Sequence, residues 1–277
     1  MKRIASTCCS ILSILLLSAG CSVSEPLRVS QTIVGGTRVT AGTYPAQVAL
    51  LDKRIESVYW GLRCGGTLIS DRWVITAAHC FDRHGADLSK YDIGVGLTSL
   101  PNGPVPESRV AIIDIKIHPY YRRSDGTVIV PHDLALVKLA RPVTQRPLPY
   151  AGWRHNWVSG TVVGWGSLNV SGARPSQLYK AELPIISEYA CSYSSIGFDP
   201  ANIICAGDTN GSLGTCYGDS GGPFIVEGVL VGVLSGGGCG RVGYVSVFTG
   251  LAGYSDFIQS VSGVRPIGNY FGMRTLQ

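Results

Sequence analysis

The sequence is poor in charge: Lys, Arg, Asp and Glu make up 15% of its 277 residues, and the formal net charge is +5. Residues 1–32 hold +2 of that, through Lys2, Arg3 and Arg28 against Glu25, which leaves +3 for the rest. No basic stripe accompanies it, so nucleic acid is excluded as a partner. No apolar run reaches the ~20 residues that a bilayer-crossing helix needs. There is no Cys-x-x-Cys pair and the cysteine spacings are wide, which argues against a zinc site. Internal repeats and low-complexity tracts are missing too. The low charge, with 45% hydrophobic residues, argues against disorder. Methionine occurs only twice, whereas glycine occurs 36 times, as suits many short strands joined by tight turns.

The N-terminus reads as an export signal over residues 1–20. Lys2 and Arg3 form its basic start, and Ile11–Leu17 forms its apolar stretch. Leu17-Ser18-Ala19-Gly20-Cys21 resembles a bacterial lipobox, in which the cysteine is lipidated and becomes the first residue. Ordinary signal-peptidase cleavage is the alternative reading. Lipidation of Cys21 would tether the protein to a membrane, and Ser22 favours the outer membrane. Periplasmic or released protein is the other expected location. Residues 21–32 read as a spacer or pro-segment. Of the nine cysteines, Cys8 and Cys9 leave with the signal, and lipidation would account for Cys21. Cys64, Cys80, Cys191, Cys205, Cys216 and Cys239 remain as an even set suited to disulfides in an oxidising compartment.

From residue 47 onward, short β-rich runs recur between turn signals. They are Gln47–Leu51, Gly66–Ser70, Trp73–Thr76, Val110–Ile117 and Leu134–Leu139, then Val158–Trp165, Tyr179–Ile186, Phe224–Val226, Val229–Leu234 and Tyr244–Thr249. This spacing predicts an all-β sandwich or barrel. Pro142, Pro147 and Pro149 make Arg141–Gly152 the best linker, dividing the body into 33–145 and 146–262. A short helix is expected near Gly253–Val261, and residues 263–277 form a tail.

Three segments carry chemistry. In Gly218-Asp219-Ser220-Gly221-Gly222-Pro223, glycines let the backbone bend sharply and let N–H groups approach a substrate. A serine hydroxyl there needs a base to take its proton and donors for the oxyanion that forms. Thr76-Ala77-Ala78-His79-Cys80 follows a buried-strand pattern and offers that base. His132-Asp133-Leu134-Ala135-Leu136-Val137-Lys138-Leu139 places a carboxylate ahead of an apolar strand. Singly, each segment reads as an ordinary turn, core histidine or cap. Together, in the chain order His79, Asp133, Ser220, they are specific.

At this point the sequence resembles the trypsin and chymotrypsin family over about residues 33–262. Ile33-Val34-Gly35-Gly36, the His79 and Asp133 segments, Val163-Gly164-Trp165-Gly166 and the Ser220 hexapeptide carry the resemblance. It implies two six-stranded antiparallel β-barrels with the active site between them and a short C-terminal helix. It implies a serine endopeptidase acting on proteins or peptides through an acyl-enzyme, with no cofactor. Ser220 would be nucleophile, His79 base and then acid, and Asp133 the orienting carboxylate. The N–H groups of Gly218 and Ser220 would form the oxyanion hole. The implied disulfides are Cys64–Cys80, Cys191–Cys205 and Cys216–Cys239.

Ile33 would be the new N-terminus after zymogen cleavage following Thr32, its ammonium pairing with Asp219. Thr32 departs from the Arg or Lys common at that position, so the activating protease is not trypsin-like. Gly214 stands where trypsin-like members carry a pocket aspartate. With Thr215, Tyr217, Ser235, Gly237 and Ser246 it implies a neutral pocket for uncharged side chains, chymotrypsin-like or elastase-like. Glu107 is a lone candidate calcium ligand, so no metal is expected, and a monomer is expected. Two rivals stand beside this reading. One is a catalytically silent binding protein on the same scaffold. The other is an α/β-hydrolase esterase, whose elbow motif Gly218–Gly222 also fits but whose chain order and strand–helix alternation do not.

Overall fold

The computed structural model describes residues 33–122, 131–167, 172, 174–187, 189–191 and 202–268. The signal, Cys21, the spacer, Thr32 and most of the tail lie outside them.

The first half is a closed barrel. Its strands are β2 (Gln47–Asp52), β3 (Leu62–Leu68), β4 (Trp73–Thr76), β5 (Tyr91–Gly94), β6 (Arg109–Ile117) and β7 (Ala135–Leu139). They pair in the order β2-β3-β4-β7-β6-β5, and β5 returns to β2 with Leu50 opposite Ile93. Closure removes the exposed edges that a short-stranded sheet would otherwise present. Alternation along β6 puts Val110, Ile112 and Ile115 inside and leaves Ala111 and Ile113 outside. Inside, Val48, Leu50, Val74, Ile93, Val137 and Leu139 share one cluster.

The second half is a single curled sheet of seven strands, β1-β9-β8-β11-β12-β13-β10. These are β1 (Thr37–Arg38), β8 (Ser159–Gly164), β9 (Tyr179–Pro184), β10 (Ile203–Ala206), β11 (Pro223–Val226), β12 (Val229–Gly236) and β13 (Ser246–Gly250). The family resemblance implies a closed six-stranded barrel here; the structure instead gives an open sheet, with β1 added beside β9. Just past β9, Ile185 bridges Ala206, and the Ile186 N–H donates to the Cys205 carbonyl at 3.0 Å. That contact draws the two ends of the sheet together without a full strand pair.

Two apolar clusters join the halves and leave a cleft between them. In one, Trp73, Ile75 and Leu136 meet Tyr150, Leu230, Val233 and Ile258. In the other, Ala49 and Leu51 meet Val163, Trp165 and Ile225. The proline-rich connection is strapped down: Leu148 donates to the Leu68 carbonyl, and Ala151 to the Leu230 carbonyl. The start of the tail lies on it, with Ile267 N–H donating to the Tyr150 carbonyl at 3.0 Å. The C-terminal helix Ser255–Ser262 ends at Gly263, whose left-handed φ of +74° lets its N–H close on the Gln259 carbonyl.

Ile258 is fully buried at the junction of helix and both halves, while neighbouring Gln259 is exposed. Ile258→Ala is therefore expected to lower stability in urea by about 3 kcal/mol. Gln259→Ala should stay within about 0.5 kcal/mol.

Candidate active site

His79 sits in a short 3₁₀ turn, Ala78–Phe81, directly after β4. Asp133 precedes β7, the strand paired with β4, so the two residues are neighbours across a ladder. His132 adopts a left-handed φ of +64°, and the Leu134 N–H closes back on its carbonyl at 2.8 Å. That tight turn aims the Asp133 carboxylate at the His79 loop. One oxygen accepts the His79 backbone N–H at 2.8 Å, and the other faces His79 Nδ1 at 2.7 Å. The Ser235 hydroxyl donates to that same oxygen at 2.5 Å. Asp133 is 2% exposed, so its charge depends on these donors.

A carboxylate can only accept, so the Nδ1 facing it carries the proton. Nε2 is thereby left as the acceptor; Cys80 Sγ lies 4.0 Å away but, bonded in a disulfide, has no proton to give it. Burial alone pulls the His79 pKa down. The charge of Asp133, its hydrogen bond and the charge of Asp82 outweigh that, and the net direction is upward. Cys64, His79 and Cys80 form a compact cluster of metal-ligand types, but the two sulfurs are bonded to each other as a disulfide.

Ser220 reaches the same cleft from the second half. A space of about 560 Å³ is bordered by His79, Gly218, Ser220, Tyr217 and the Cys64–Cys80 bridge. The Ser220 carbonyl accepts the Gly65 N–H of β3 at 2.7 Å, which fixes the loop to the opposite barrel. Gly221 has φ +76°, and a Cβ there would lie 2.2 Å from Thr76 Oγ1, so no larger residue fits. Gly218 also has a left-handed φ, +97°. The Cys216–Cys239 bridge holds the stretch before Ser220, and Cys191–Cys205 closes a loop elsewhere in the second half.

The sequence-predicted pocket residues lie together beside this loop. The Thr215 N–H and Thr215 Oγ1 meet Ser246 Oγ at 3.0 and 2.9 Å, and both residues are fully buried. Gly237 packs so closely on Thr215 that a Cβ would lie 2.2 Å from its hydroxyl. A Cβ on Gly214 would find only Ser246 Oγ, at 3.7 Å. Tyr217 is 65% exposed at the cleft. Ser235, expected as a pocket wall, also spends its hydroxyl on Asp133, a role the sequence did not signal.

Ile33 is 1% exposed and packs with Val162, Leu183 and Phe248. Next to it, the Gly214 N–H donates to the Val34 carbonyl at 3.2 Å. Asp219 is buried, taking N–H donors from Gly166 at 2.7 Å and Cys216 at 3.0 Å. Gly164 and Gly166 make room for it, since a Cβ on either would lie 2.1–2.2 Å from its carboxylate. No cation partners it among the described residues, and burial pushes its pKa up to about 6 against the pull of the two donors.

The trypsin family model matches residues 33–258. The chain belongs to the trypsin family. It is 33% identical over 250 residues to rat transmembrane protease serine 9, covering 86% of this chain but 22% of that protein. It is 31% identical over 232 residues to the trypsin of Saccharopolyspora erythraea, covering 82% of this chain and 96% of that one. Mouse neuropsin, a serine protease, superposes with a TM-score of 0.69 at 29% identity, covering 82% of this chain and 98% of its own. The all-β fold and the serine-protease relationship therefore hold together. No described helix is long and apolar enough to cross a membrane.

A buried acid whose pKa is raised in the folded state favours folding below its unfolded pKa of about 4 and loses that contribution as pH rises through about 6. The protein should therefore lose about 2 kcal/mol from Asp219 between pH 4 and pH 6. Urea midpoints across that range check this, since Asp219→Asn should remove the slope.

Proposed function

We propose that this protein is a serine endopeptidase that hydrolyses peptide bonds through an acyl-enzyme, with Ser220, His79 and Asp133 as its triad. One observation carries the reading. The buried Asp133 carboxylate holds the His79 Nδ1–H at 2.7 Å, leaving Nε2 as the base in the cleft that Ser220 shares. Ser220 Oγ attacks the scissile carbonyl as its proton passes to Nε2. The backbone N–H groups of Gly218 and Ser220 receive the oxyanion. The imidazolium then protonates the leaving amine, and water repeats the cycle on the ester. The chemistry requires no cofactor.

The protein is made as a zymogen and cut between Thr32 and Ile33. The released ammonium supplies Asp219 with the cation it lacks in the uncut chain. A protease that does not require Arg or Lys performs the cut. Residues 1–20 direct export, Cys21 is the lipid anchor, and the product works as a monomer on proteins outside the cytoplasm.

The side chain before the scissile bond is uncharged and small. Gly214 offers no carboxylate for Arg or Lys, and the Thr215–Ser246 pair with Gly237 packed on it narrows the pocket. Of the chymotrypsin-like and elastase-like alternatives, the close contact of Gly237 with Thr215 favours the elastase-like one.

Protein beginning at Ile33, profiled on a peptide library, should cleave after small uncharged residues, and Ser220→Ala should abolish the activity. Cleavage centred on Arg or Lys would overturn the pocket reading. As pH falls, kcat/KM should drop through the His79 pKa, which lies above 6.5 because its raised value extends the protonated form upward.

A further inference from the structure

The cleft described above is lined by none of Gly214, Thr215, Ser235, Gly237 or Ser246. Those residues form the separate wall that takes the side chain before the scissile bond. Beside Ser220 the cleft is bordered instead by the Cys64–Cys80 bridge, Tyr59, Trp60, Arg63 and Arg174. On the endopeptidase reading, His79 protonates the departing amine, so the residues after the scissile bond pass the groups that line this cleft with it.

This side is cationic. Arg174 is half-buried, and its guanidinium donates to the Tyr59 carbonyl at 2.8 Å and the Leu62 carbonyl at 3.3 Å. It lies over the Tyr59 ring at 5.1 Å, and its Nε is buried with no partner. The Tyr59 hydroxyl donates to the Arg174 carbonyl at 2.8 Å, which locks the pair from both ends. A Cβ on Gly218, the oxyanion residue, would lie 3.6 Å from Arg174 Cδ. The charge is thus fixed within one or two residues of the reacting bond.

No carboxylate among the described residues lines the cleft, and none pairs with Arg174. Arg63 borders the same space and has Asp52 at 3.0 Å, but Asp52 also serves Arg54 at 2.7 Å. Two arginines therefore share one acid on the far side, and a third stands without one. The Arg174 pKa is drawn down, first by burial and further by the Arg63 charge, against the pull of Tyr59. An arriving anion would relieve this repulsion.

We propose that Arg174, backed by Arg63, selects substrates with an acidic side chain at the first or second residue after the scissile bond. Arg174 is a specificity residue here, placed by the Tyr59 and Leu62 carbonyls rather than by a salt bridge. The proposal rests on the endopeptidase reading above.

Protein starting at Ile33 would be assayed on peptides that share the residue before the cut. They differ only in Asp, Ala or Lys at the first or second following position. At one of these positions kcat/KM should favour Asp over Ala by about tenfold, as suits a charge-assisted hydrogen bond. The ratio should shrink as salt rises, since the site is partly open to solvent. Arg174→Glu should invert the order in favour of Lys. Arg174→Gln keeps an amide donor for the two carbonyls and should bring the Asp-to-Ala ratio close to one, so the test stands even if charge reversal prevents folding. A wild-type ratio within twofold of one at both positions overturns the proposal, as does an acid preference that survives in Arg174→Gln. In either case hydrolysis of the Ala peptides leaves the endopeptidase reading intact. Folded, processed protein that cuts no peptide overturns that reading and this inference with it.

Discussion

One buried carboxylate ties the site together. Asp133 is nearly inaccessible to water, yet it accepts the backbone and ring N–H groups of His79 and the hydroxyl of Ser235. Leaving such a charge short of donors costs several kcal/mol, so all three must be in place when the chain folds. Two donors come from the first barrel and the third from β12 of the second sheet. The same bonds therefore select the tautomer of His79 and the relative placement of the halves. Thr249 of β13 adds a fourth tie, through its hydroxyl to the Asp133 backbone carbonyl at 3.0 Å.

The Ser220 loop depends on that placement. Ser220 is held by its carbonyl to Gly65 of the opposite barrel, and Gly221 occupies a gap beside Thr76 that a side chain would fill. Apolar contacts between Trp73, Ile75 and Leu136 and the second half keep the gap closed. A shift of the two halves would therefore disturb the seat of Ser220 and the contact of His79 with Asp133 together. Asp219, next in chain to Ser220, adds a second buried carboxyl, held by the Gly166 and Cys216 N–H groups. Under the proposed cleavage before Ile33, the new ammonium would pair with it and tie the N-terminus to the Ser220 loop.

Much of this was legible from residues. The Ser220, His79 and Asp133 segments stand on moderate local signals that become specific only in their chain order: glycines around a serine, a histidine after a buried strand, a carboxylate before one. Long alternating strands such as β6 were placed within a residue because period-two burial survives in them. β5 and β10 were not legible. β5 contains Asp92 and Gly94 and β10 ends in Cys205 and Ala206, so neither shows the β-branched and aromatic run that marks the equally short and buried β4 and β11. β1 has two exposed residues and exists only because β9 offers an edge. Contacts between distant segments were invisible for another reason. Ser235 reaches Asp133 across 102 positions, and Arg174 holds Tyr59 across 115. Val163-Gly164-Trp165-Gly166 was visible as a motif. Its physical purpose, a niche for Asp219, emerges only when the loops are side by side.

The most direct measurement is the site of covalent labelling by a small phosphonyl fluoride, read by mass spectrometry on protein cut at Ile33 and on uncut protein. Such reagents are attacked only by a serine that a base activates and an oxyanion hole accommodates. The expected result is one adduct, on Ser220, fast in the cut form and at least tenfold slower in the uncut form or in His79→Ala. Folded, cut protein that stays unlabelled, or carries its adduct on another residue, would contradict the role of Ser220 and the site built around Asp133.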